Sequence, residues 1–339
     1  MSSTRTHVQR LAAGIAALAL TTLGAIAVPA SAAPQSGCKG EIAISTTPVV
    51  VTEQKSDRIL VLDLCKSWSK PGAELWSWKP SKEFGITDPD NSWGLPDDAR
   101  LRRDADGNQF VLATDSYGLL AKIPYPAGGE VAWSVELGRG PNPHGIELLP
   151  NGNIAVAAST GKFIRIYTAS QGQHSDHYVE DPLPGAHEVL WDNDNDLLWA
   201  LADTELIGYT IGGTAAEPTL TRTVTHTLPT NWGHDLQPVP GDPDRLWLTT
   251  VYGVHQYVKS TGKFDVGFPR ARELYAPNIK SNATDAKTGT ILQTTPKVGN
   301  PCTWCTDQVD FFVGKDRTVS RVLPGSEIYR ARWFDEESN

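Results

Sequence analysis

Along most of its length the chain alternates short apolar runs with turns rich in Gly, Pro, Asn and Asp, the signature of β-strands joined by tight connections. Three segments read alike: Asn142-Pro143-His144-Gly145-Ile146-Glu147-Leu148, Gly185-Ala186-His187-Glu188-Val189-Leu190 and Trp232-Gly233-His234-Asp235-Leu236. Each is followed by a turn and an apolar run (153–158, 197–202, 245–250), then by a polar turn and a further run (162–167, 205–210, 254–258). The histidines stand 43 and 47 residues apart, a period that fits a propeller blade of about four strands and leaves no room for a recurring core helix.

Weaker copies extend the frame in both directions. Aligning Asp106-Gly107-Asn108 with Asn151-Gly152-Asn153 puts Asp97 or Asp98 at the histidine position, and Ala276-Pro277-Asn278 puts Asn278 there, followed by strands at 291–295 and 308–313. The last apolar run, 328–334, has nothing after it with which to form a sheet, so it should pair with N-terminal strands at 49–52, 58–62 and 74–78. The expected fold is an all-β, six-bladed propeller of about 51 residues per blade, closed by pairing of the two chain ends, with seven blades as the alternative count. No stretch has sustained helical periodicity, and scattered tryptophans such as Trp76, Trp133, Trp191, Trp199 and Trp247 suit packing between blades.

The N-terminus follows different rules. Residues 1–33 contain no acid, carry Arg5 and Arg10 ahead of an apolar run from Leu11 to Val28, and end in Ala30-Ser31-Ala32, which reads as a secretory signal peptide. The expected organisation is a signal peptide over 1–32, a lead-in over 33–47 and one propeller domain over 48–335. Export to the extracellular space follows, and no later run is long and apolar enough to span a bilayer. The net charge of −9 becomes −11 once Arg5 and Arg10 are removed (28 basic against 39 acidic residues), which disfavours nucleic acid and anionic membranes as partners. In an exported chain the four cysteines suit disulfides, Cys38 with Cys65 and Cys302 with Cys305.

The chemistry concentrates at one repeat position. Inner strands of successive blades point at a common axis, so His144, His187 and His234 can converge at the channel mouth although they are distant in sequence. Three neutral imidazoles suit one divalent transition metal per chain (Mn, Zn, Fe or Ni), with Asn278 or Asp97 as a fourth ligand. The alternative is that the histidines only tie neighbouring blades together. Turns on the same face bring in Gln54, Lys55, Tyr117, Lys162 and Tyr252, and the stapled loop 296–306 carries Trp304, so Tyr117, Tyr252 and Trp304 are candidate substrate contacts. Lys280, Tyr329, Arg330 and Arg332 are expected to reach the mouth from the side opposite the histidines, with strand alternation turning only one of Tyr329 and Arg330 inward. Asn282-Ala283-Thr284 matches a glycosylation acceptor, and Asp192 to Asp196 reads as a hairpin turn rather than a calcium loop.

The runs Val50-Val51-Thr52-Glu53-Gln54, Asn142 to Gly152 and Gly233-His234-Asp235-Leu236 resemble a family of secreted bacterial β-propeller proteins of unassigned function, over essentially the whole mature chain. More distantly, the histidine set is similar to that of metal-dependent propeller lyases, oligogalacturonate lyase and streptogramin lyase among them. The chain departs from that pattern in its blade count and in lacking a clear fourth ligand. A lyase reaction follows by analogy with the propeller lyases; the expectation is a monomeric, metal-dependent lyase or hydrolase acting on an acidic oligosaccharide or other small molecule, with Lys280, Tyr329 and Arg330 as catalytic groups. The competing expectation is a non-catalytic propeller that binds a glycan or cell wall.

Overall fold

The computed structural model describes residues 44–338. The expected signal peptide, most of the lead-in and Cys38 lie outside the described residues. The chain forms six antiparallel sheets of four strands each, and their innermost strands touch one another in cyclic order: Ile328–Trp333, Pro96–Arg103, Pro143–Leu148, Glu188–Asp192, Gly233–Pro238 and Ser281–Thr284. This is a six-bladed β-propeller.

The first blade joins both ends of the chain. Val49–Glu53 pairs with Ile328–Trp333 on one side and with Arg58–Leu62 on the other, and Glu74–Trp78 completes the sheet. The expected closure is therefore the one formed. The middle strands are also where the apolar pattern puts them, as with Arg245–Thr250 and Gln308–Val313. Outermost strands such as Tyr178–Pro182 and Arg317–Val322 alternate half-buried with exposed residues. They lack an apolar run because only one of their faces meets a neighbouring blade.

Burial divides into six clusters, one between each pair of adjacent blades. Tryptophans anchor most of them: Trp133, Trp199, Trp247 and Trp333 are all at least 97% buried, and the Trp333 indole donates to the carbonyl of Ala283 in the sixth blade at 3.1 Å. Trp333 thus ties the closing strand to the last blade before it. Among the described residues no helix is long and apolar enough to cross a membrane.

Since Trp333 fills the core between the first and sixth blades, Trp333→Ala should cost about 3–5 kcal/mol. Urea unfolding followed by circular dichroism measures this; an unchanged midpoint would show that the ends are held together by other contacts.

Candidate functional site

The repeat delivers one residue per blade to the channel mouth. The residues two positions earlier, Asn142, Gly185, Trp232 and Asn278, all have left-handed backbone, with φ of 55°, 68°, 62° and 61°, and they turn the chain into each inner strand. This equivalence corrects the sequence alignment: Asn278 matches Asn142, and Lys280, two residues on, holds the histidine position. Asp97 holds it in the second blade and Tyr329 in the first. In four blades a register shift follows, at Val51/Glu53 opposite Tyr329 and Arg330, and at Pro96/Asp98, Pro143/Gly145 and Gly233/Asp235. A bulge places two consecutive side chains on one face. Tyr329 and Arg330 accordingly both face the channel, contrary to the expectation from strict alternation.

The six residues form a closed ring. Nδ1 of His144 lies 3.2 Å from Oδ1 of Asp97, outside hydrogen-bond alignment. The His144 ring stacks on His187 at 4.6 Å and 8°, and His187 meets His234 edge-on at 4.9 Å. Nζ of Lys280 sits 3.0 Å from Nε2 of His234 and 5.9 Å from the Tyr329 ring, which in turn lies 5.7 Å from His144. Lys280 is thus beside the histidines, not across from them.

Beneath the ring Arg330 plugs the channel. Its guanidinium donates to the carbonyls of His144 (2.8 Å), His234 (2.6 Å) and Lys280 (3.3 Å) and to Glu188 (2.8 Å). Below it, Arg332 binds Asp98, Asp235 and Glu188 at 2.6–2.9 Å, and Arg100 binds Asp98, Glu147 and Glu188. Gly145 makes room for this lattice, since a Cβ there would lie 2.6 Å from a Glu188 carboxylate oxygen. Arg102 adds a bidentate pair with Glu147, so four guanidiniums face Asp98, Glu147, Glu188 and Asp235. Lys280 is extra: among the described residues no carboxylate comes within ion-pair distance of it.

Burial and the lattice set the ring's protonation. Burial, then the positive charge of Arg330, brings Lys280 down to about 8. Burial followed by Arg330 lowers His144 to about 3. His187 is held well below the usual imidazole range by burial and His144, and His234 by burial and Lys280. All three rings are neutral at physiological pH. Burial also raises Asp97 well above its usual value and lifts the Tyr329 hydroxyl above the usual phenol value, so Tyr329 keeps its proton.

The ring as arranged does not fit the expected divalent ion. A metal must lie near the plane of each imidazole that binds it, and the nearly parallel planes of His144 and His187 share no such point. One nitrogen of each ring is already paired, His144 Nε2 with Asn142, His187 Nδ1 with the Gly185 carbonyl and His234 Nε2 with Lys280, while Nδ1 of His144 and Nδ1 of His234 are buried without a hydrogen-bond partner. Among the described residues the one set of three His, Cys, Asp or Glu groups with ligand atoms within 4.8 Å of each other is Cys302, Cys305 and Glu327, and its two sulfurs are joined in a disulfide.

Of the expected substrate contacts, Tyr252 and Trp304 are exposed on the ring face, while Tyr117 is covered by Gly94 on one side and the Arg139 guanidinium on the other. The Trp304 indole donates to Gln54 at 3.0 Å, so the stapled loop leans toward the first blade. Cys302 and Cys305 are bonded as expected, and Cys65 is also disulfide-bonded. Disulfides are compatible with an extracellular protein. Asn282 is fully buried, which removes it as a glycosylation acceptor in the folded chain. A cavity of about 750 Å³ opens at the other end of the channel around Arg102, Glu147 and Trp191, away from the ring.

No curated protein matches the sequence. Similar solved structures include a Bacteroides caccae protein of unknown function (10% identity, TM-score 0.51, covering 85% of this chain and 98% of that one). Virginiamycin B lyase from Staphylococcus aureus is also similar (16% identity, TM-score 0.46, covering 82% and 85%). A functionally unknown protein from Desulfotomaculum acetoxidans matches at 12% identity and TM-score 0.47, covering 83% and 98%. The likeness to the Bacteroides protein supports the fold alone. A family model spans residues 9–338, and the chain belongs to that family of unknown function, DUF6528.

Proposed function

We propose that the protein is an exported enzyme that removes a proton from an acidic, sugar-type substrate at the channel mouth and thereby eliminates a leaving group, a lyase reaction that proceeds without a divalent ion. The observation that carries this reading is Lys280, a buried amine held against neutral His234 with no carboxylate partner among the described residues. A neutral Lys280 donates one N–H to His234 Nε2, which turns its lone pair toward the mouth. Near a pKa of about 8 a useful fraction is free to act as base at neutral pH.

The other groups take complementary roles. Arg330, just beneath the ring, supplies a positive field that acidifies a C–H next to a substrate carboxylate and stabilises the charge that develops there. Lys280 takes that proton, the adjacent C–O bond breaks to leave a C=C bond, and the Tyr329 hydroxyl gives its proton to the departing oxygen. Proton return from Lys280 restores Tyr329. The second reading, a non-catalytic glycan-binding propeller, draws support from the hydrogen bonds of His144 and His187 to their own blades.

Oligogalacturonate, whose unsaturated elimination product absorbs in the ultraviolet, is the test substrate. Lys280→Met should lower kcat by a factor on the order of 10²–10⁴. In the parent, activity should rise with pH and level off above about 8, because the base works only when deprotonated. Binding without turnover would favour the non-catalytic reading. Elemental analysis after incubation with Zn²⁺ or Mn²⁺ and dialysis should find no stoichiometric metal. One ion per chain, lost in His187→Ala, would overturn the metal-free mechanism and restore a histidine metal centre.

A further inference from the structure

Five large aromatics are exposed among the described residues, and four of them, Trp232, Tyr252, Tyr275 and Trp304, belong to turns on the ring face. Three make a continuous row beside the ring. Trp232 stacks on Tyr252 with centroids 6.1 Å apart and planes 21° apart. Tyr275 packs on the backbone next to Tyr252, close enough that a Cβ on Gly253 would lie 3.1 Å from its ring. The row adjoins the proton-transfer pair in sequence and space, since Trp232 precedes His234 by two residues and Tyr275 precedes Lys280 by five.

Trp232 is an expensive choice at its position. The equivalent residues are Asn142, Gly185 and Asn278, types that tolerate left-handed backbone, whereas a bulky side chain at φ 62° is an outlier. Its ring does not repay that strain by burial, being 49% exposed. Strain retained for an exposed side chain points to a ligand that uses it.

We infer that Trp232, Tyr252 and Tyr275 form a stacking platform for the sugar rings of an acidic oligosaccharide, whose reacting unit lies on the ring of His234 and Lys280. The inference rests on the reading of that ring as a site for an acidic sugar and adds that the substrate is a chain of several sugars. The chemistry matches on both parts: the C–H face of a pyranose is apolar and lies flat on an aromatic ring, and the acidic unit meets the uncompensated ammonium of Lys280. The plugged channel leaves the rim as the direction in which such a chain can extend.

The test uses the Tyr329→Phe protein, which lacks the proton donor to the leaving group and keeps the Lys280 ammonium, with galacturonic acid, its hexamer and a neutral glucose hexamer as probes in titration calorimetry. The acidic hexamer should bind about tenfold or more tighter than the monomer, and Tyr252→Ala should abolish that gain while leaving monomer affinity intact. Trp232→Asn should abolish it too without loss of stability, because Asn suits the backbone there. A hexamer bound no better than the monomer, or a gain that survives both substitutions, overturns the platform while leaving the ring assignment standing. Equal binding of the neutral hexamer overturns the acidic class. A rim-dependent gain in a parent protein that shows no turnover supports the platform and removes the lyase mechanism, and absence of binding to every probe overturns both.

Discussion

The lattice of Arg100, Arg330 and Arg332 with Asp98, Glu188 and Asp235 on the channel axis is the interaction on which the remaining features depend. Arg330 alone reaches from the first blade to groups in the third, fourth, fifth and sixth, and Arg332 adds the second. Taking these charges out of water costs several kcal/mol per ion, so such a lattice is a weak source of stability in itself. What it fixes is geometry. Six wedges held together by apolar side chains can slide against one another at little cost, but a guanidinium with donors committed to four blades has one satisfactory register. Removing one partner leaves buried charges uncompensated, a penalty of about 3–5 kcal/mol.

The same lattice sets the chemistry above it. Its charges balance within their own layer, but of its members Arg330 acts most strongly on the ring, ahead of Asp98 at His144 and as the charge that lowers Lys280. The ring therefore experiences a positive local field, which together with burial keeps the imidazoles neutral and weakens the proton on Lys280. A protein of net charge −9 thus holds a cationic mouth. An acidic ligand is drawn by that local field against the charge of the whole molecule, and its affinity should depend on contact more than on long-range attraction.

The architecture was legible in the sequence because burial in a propeller writes a period: each middle strand is apolar, each turn is punctuated, and the unmatched final run of Ile328 to Trp333 had to find the N-terminal strands. The outer strands were not legible, since half their residues face solvent. At the mouth the histidines were found because they are one residue type at one repeat position. Lys280, Tyr329 and Asp97 were harder, because the repeat conserves the place and not the residue. The recoverable signal was Asn278, which matches Asn142 of the turn and so moves the comparison on to Lys280. Tyr329 and Arg330 were misjudged because a bulge breaks the alternation on which strand reading relies. The metal expectation came from residue type alone, and the ring planes, which no sequence pattern encodes, are what oppose it.

With the axis filled by Arg330, the mouth is a floor and not a passage. A substrate can approach only from the ring face, and anything larger than the reacting unit must lie across the rim. The blades do not offer that rim equally. The first and sixth are spanned by the stapled loop through Trp304 and Gln54, and Tyr117 in the second is already sandwiched by Gly94 and Arg139. Trp232, Tyr252 and Tyr275 leave open aromatic surface next to Lys280, the one cation of the ring. A sixfold repeat of backbone thus supports a site with a single direction, because direction comes from which side chains the repeat positions carry and not from the fold that presents them.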